Sequence, residues 1–114
     1  MQHTAFFGDG DQTFAFTHEL IQELERKTGH GIFALFTRIQ TRQASLNDLL
    51  ETIRLGLIGG GTTPADAAAL VNTYAVARPL SESLAVAIGI LSTLFFGPDE
   101  DTSADQGDTQ QVTA

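Results

Sequence analysis

No cysteine occurs in the 114 residues, which excludes a disulfide framework, a thiolate nucleophile and a Cys-ligated metal. Long apolar runs are missing too. The longest charge-free apolar run, Leu84 to Phe96, has thirteen residues, whereas a bilayer-spanning helix needs roughly 20. It reads as a buried core helix, and no membrane partner is expected. The first residues, Met1-Gln2-His3-Thr4, lack the basic and apolar regions of a signal peptide, so the expected compartment is the cytoplasm. Bases are scarce: six Lys plus Arg stand against fourteen acids, with no cluster of the kind that grips a phosphate backbone. No nucleic-acid partner is expected.

Five of the acids (Asp99, Glu100, Asp101, Asp105, Asp108) fall after Gly97, where there is no base. That stretch of Asp, Ser, Thr, Gln and Gly has almost nothing to bury and is expected to be disordered. The remaining chain holds nine acids and six bases, an ordinary balance. The expected organisation is one helical domain over 1–97 and an acidic tail over 98–114.

Elements follow from periodicity and punctuation. Ala5-Phe6-Phe7 and Thr13-Phe14-Ala15-Phe16 flank Gly8-Asp9-Gly10-Asp11, the chemistry of a tight turn, and Phe14 and Phe16 alternate onto one side. Such a hairpin is marginal alone and must pack on helices. A first helix is capped by Thr17, buries Leu20, Ile21 and Leu24, and stops at Gly29. A second runs from about Ile32 to Gln40, with Ile32, Phe33, Leu35, Phe36 and Ile39 at helical spacing. A third starts at Ser45, with Asp48 as the partner in a shortened capping box, and carries Leu46, Leu49, Leu50, Ile53 and Leu57 to Ile58. Gly59-Gly60-Gly61 stop it. Thr63-Pro64 opens a fourth, with Ala67, Leu70, Val71 and Tyr74 inward, and Arg78-Pro79 breaks the chain. A fifth runs from about Ser81 to Phe96 and is apolar all round. It is therefore either central or partly covered by another chain. The expected fold is mainly α: five helices with an N-terminal β-hairpin, the fifth helix most buried and touched by the first, third and fourth.

Chemical motifs fail on inspection. His18-Glu19 opens like a zinc-protease helix, but Gln22 stands where the second His is required. Asp9-Gly10-Asp11 starts like a calcium loop, yet its sixth and twelfth positions are Phe14 and Leu20 rather than Gly and Glu. Gly59 to Gly61 precede a helix as a phosphate loop does, but Thr62, Thr63 and Pro64 follow with no Lys. A C-cap and joint explains the glycines better. No catalytic, cofactor-binding or metal-binding residue emerges, and the chain is expected not to be an enzyme.

Three segments in order carry a resemblance: Ile21-Gln-Glu-Leu-Glu-Arg-Lys-Thr-Gly29, Glu51-Thr-Ile-Arg-Leu-Gly-Leu-Ile-Gly-Gly-Gly61, and Arg78-Pro-Leu80 with the apolar helix ending Phe96-Gly97. From the hairpin to Gly97 the chain resembles the tail assembly chaperone family of gene transfer agents and siphophage-like prophages, also labelled a tail tube protein of gene transfer agents. The resemblance implies a non-enzymatic factor that binds the tape measure or tail tube protein in the bacterial host cytoplasm. The alternative is a structural, tube-associated component retained in a virion-like particle. Tube subunits are normally β-rich, and strand material here is confined to the first sixteen residues, so the chaperone reading is preferred.

Such a role calls for an apolar groove with a polar rim. Val86 and Ile90, on the outer side of the fifth helix, are one candidate. The joint Leu57-Ile58-Gly59-Gly60-Gly61, free to swing or to exchange elements in a homo-oligomer, is another, with Arg54 and Arg78 at the rim. Core and capping roles for the same residues are the competing reading.

Overall fold

The computed structural model describes residues 2–75 and 77–97. The acidic tail expected over 98–114 lies outside the described residues.

Two strands, β1 (Gln2–Phe7) and β2 (Gly10–Ala15), pair antiparallel from Gln2↔Ala15 to Phe7↔Gly10. The turn between them is only Gly8-Asp9. Gly8 has φ +74° while Asp9 stays out of the positive region, the sign pattern of a type II′ turn, which demands glycine first. The hairpin packs its inner face, His3, Ala5 and Phe7 with Phe14, against helical partners, and Phe14 and Phe16 both enter the core as their alternation predicts.

Five helices follow: α1 (His18–Thr28), α2 (Ile32–Gln40), α3 (Leu46–Gly59), α4 (Pro64–Leu70) and α5 (Leu80–Phe96). Their ends are set by the expected residues. The hydroxyl of Thr17 accepts from the Leu20 N–H, and Gly29 closes α1 in the left-handed conformation. At α3 the box is reciprocal: Ser45 Oγ accepts from the Asp48 N–H at 3.1 Å, and Asp48 Oδ2 accepts from the Ser45 N–H at 2.9 Å. Thr63 caps α4, with Pro64 at the first position. Helix α4 is shorter than its pattern suggests, because Val71–Ala75 widen into a π-helical turn. That turn keeps Val71 and Ala75 buried and brings Tyr74 to the hairpin tip, where a Cβ on Gly8 would lie 2.7 Å from its ring.

The centre of the molecule is α3, not α5. Helix α3 packs against β2 and all the other helices, and buries Leu49, Thr52, Ile53, Leu55, Gly56 and Leu57. Helix α5 packs on α3, α2, the hairpin and the π turn that continues α4, so the expected contacts with the third helix and the end of the fourth are present, while α1 is not among its main partners. The hairpin meets α5 along Gly89 and Thr93. His3 lies across Gly89, and its Nδ1 sits 3.2 Å from Thr93 Oγ1. Phe33, one of the apolar residues at helical spacing in α2, is 75 % exposed. At about 100° per residue it falls about 60° beyond Phe36, outside the arc of Leu35, Phe36 and Ile39.

Candidate partner-binding surface

The expected site residues separate into three groups. Leu57 and Ile90 are buried, so neither offers its side chain to a partner, and the reading of Ile90 as an outer-face residue is corrected. Ile90 belongs to the buried cluster, with Ala87 and Leu91 of the same helix. Gly59 and Gly60 do not form a swinging joint. A Cβ on Gly59 would lie 1.8 Å from the Ala15 carbonyl oxygen, and one on Gly60 1.9 Å from that of Thr13. Both glycines are there so that the end of α3 can touch the backbone of β2. Gly61 alone is exposed, at φ +114°. Ile58 is half-buried against the core.

Both arginines are paired. Arg54 donates to Glu51 at 2.6 Å within α3. Arg78 makes two bonds to Glu82, Nε to Oε1 and Nη2 to Oε2, each 3.0 Å. Those bonds, followed by charge attraction, hold Glu82 below the usual carboxylate range and raise Arg78. Each gripping role therefore requires an intrahelical or helix-entry pair to open first.

Arg78 and half-buried Val86 nevertheless meet in one place. They line a groove of about 300 Å³ with Phe6, Phe7 and Gly8 of the hairpin, Tyr74 of the π turn, and Ser83. Its walls are aromatic and aliphatic and its rim is the Arg78–Glu82 pair. Sequence reasoning found two of these residues but not Phe6 or Tyr74, because a 3.6-residue period cannot foresee the π turn that turns Tyr74 toward the hairpin tip.

A second apolar surface was not legible as a site. Phe95 meets Phe33 edge-on at 5.3 Å and Phe36 at 4.4 Å, with Phe96 6.0 Å from Phe36. Phe96 is 77 % exposed, and the cluster borders a groove reaching His18, Ile21 and Leu94. The signal was present in the doublet Phe95-Phe96 directly before Gly97.

Buried polar groups serve the fold. Asp48 is 1 % exposed and lies 3.6 Å from Arg38 Nε and 4.0 Å from His30 Nε2. At 3.6 Å the Arg38 contact is an ion pair without a hydrogen bond, and Arg38 Nε has no hydrogen-bond partner. Among the described residues there is no group of three or more His, Cys, Asp or Glu that could hold a metal ion, and no helix is long and apolar enough to cross a membrane.

Compared with known proteins, residues 1–97 match the family model described as "Phage tail tube protein, GTA-gp10". No curated protein and no solved structure matches the chain.

Proposed function

Because the chain belongs to the GTA-gp10 family of phage tail tube proteins, we propose that it is a non-enzymatic tail component that binds other tail proteins and is retained, tube-associated, in a phage-like particle. The observation that carries this reading is the span of the family match, which includes every described element from β1 to α5. Two exposed apolar surfaces on so small a domain support it. The Phe33–Phe95–Phe96 cluster and the Phe6–Tyr74–Val86 groove are sites where apolar area remains to be covered. Assembly takes place in the host cytoplasm, and the tube and tape measure proteins are the expected partners.

A second reading, a tail assembly chaperone that leaves before the particle is complete, is favoured by one specific observation. Strand structure among the described residues is limited to one two-stranded hairpin, too little to form a tube wall by itself. Mass spectrometry of purified particles separates the two. A fixed stoichiometric ratio to the tube subunit is expected. Absence from particles whose assembly still requires the protein would replace the retained component with the chaperone.

A further inference from the structure

The hairpin has two outer edges, and the fold treats them differently. Closing the two-residue turn makes Phe7↔Gly10 a hydrogen-bonded pair, and in an antiparallel ladder such pairs alternate with pairs that are not bonded. Ala5↔Gln12 and His3↔Phe14 are therefore bonded within the hairpin. Gln2, Thr4 and Phe6 turn their N–H and C=O groups outward from β1, and Asp11, Thr13 and Ala15 do so from β2. The edge of β2 is blocked: the Thr13 and Ala15 carbonyls face Gly60 and Gly59. The edge of β1 meets nothing comparable. The backbone of Gln2, Thr4 and Phe6 makes no hydrogen bond outside the hairpin to any described residue.

Nothing in β1 protects this edge. It carries no proline, lysine or arginine, and Phe6 is 66 % exposed. Beside its turn end lies the groove walled by Phe6, Phe7, Tyr74 and Val86. Unpaired strand backbone beside an apolar pocket fits one kind of occupant, an extended segment whose main chain completes the ladder and whose side chain fills the pocket. Charge narrows the choice further. The hairpin tip carries Asp9 and Asp11, neither ion-paired among the described residues, and the first Lys or Arg of the chain is Arg26. A second copy of β1 brings no Lys or Arg, its one basic side chain being His3.

We infer that the outer edge of β1 takes an added strand from another tail protein, with an apolar side chain in the Phe6–Tyr74–Val86 groove and a Lys or Arg beside Asp9 and Asp11. This rests on the reading of the chain as a protein that binds tail proteins, and it specifies where and how.

The test uses the full chain co-expressed with the tail proteins encoded beside it, purified as a complex whose members are identified. Amide exchange at Thr4 and Phe6 is expected to be fast in the free protein and at least about tenfold slower in the complex. Thr4→Pro removes an outward N–H at a position where an edge strand tolerates proline, so the fold is expected to survive while affinity falls at least about tenfold. Asp9→Asn with Asp11→Asn should weaken binding and flatten its salt dependence. If Thr4→Pro fails to fold by circular dichroism, Phe6→Lys places a charge on the same edge and is read the same way. A complex that keeps its affinity in these variants, with Thr4 and Phe6 unprotected, overturns the edge while leaving the tail-binding reading intact. A free protein that dimerises with those amides protected also overturns it, in favour of a second copy. Failure of the unaltered chain to retain any tail protein overturns both.

Discussion

Gly59 and Gly60 are consecutive, yet they serve the same contact rather than a hinge. A methyl group at either would sit under 2 Å from a backbone oxygen of β2, and a backbone oxygen cannot rotate aside as a side chain can. Gly59→Ala and Gly60→Ala are expected to cost at the upper end of about 1–3 kcal/mol, since α3 must withdraw from the hairpin. Gly10→Ala, which meets open space at an ordinary φ, should stay within about 0.5 kcal/mol. Urea unfolding midpoints with an unchanged slope compare them. His3 gives a pH handle at the same scale. Burial against α5 lowers its pKa from the ordinary 6.5, so as pH falls below that value the unfolded chain binds the proton first. Stability is therefore expected to drop on acidification from pH 8 to 5 by more in the unaltered protein than in His3→Gln. Equal slopes in thermal melts across that range would show that the ring is not held neutral by the fold.

The elements divide by how local their causes are. Caps are local. Ser45→Ala removes the hydroxyl that accepts from the Asp48 N–H and should cost about 1 kcal/mol, read from thermal unfolding with α3 helicity monitored. Starts and stops at Thr17, Gly29, Ser45 and Thr63 were legible because each is a side-chain or φ requirement contained within a few residues. Burial rank was not. Helix α5 has the more apolar sequence, but α3 lies between the hairpin and the other helices, a position fixed by contacts distant in the chain. Ile53→Ala in α3 and Leu91→Ala in α5 are each expected to cost about 2–5 kcal/mol, because both side chains are fully buried. Phe33→Ser should remain within about 0.5 kcal/mol despite removing a large apolar group. A loss at Phe33 equal to that at Ile53 would place it in the core after all.

For the whole molecule, the family match ends at residue 97, one residue after the last turn of α5. We propose that residues 1–97 are the folding unit, to which 98–114 add five acids. A chain ended after Gly97 is expected to unfold within about 0.5 kcal/mol of the full protein. A larger loss in calorimetry would make the acidic segment part of the fold.

The amino-acid sequence by itself determined the element types, most of their ends, the hairpin turn and the family resemblance. Each of these depends on side-chain period, on capping hydroxyls or on a glycine's permitted φ, all properties of neighbours in the chain. Tertiary structure alone decided which apolar residues are surface. It buried Ile90 and turned Tyr74 toward Gly8 through a π turn that no periodicity announces. It also decided that Gly59 and Gly60 close one edge of the hairpin and leave the other open. Burial and edge coverage depend on what lies opposite in space, and residues some forty-five positions apart in the chain carry no mark of meeting there.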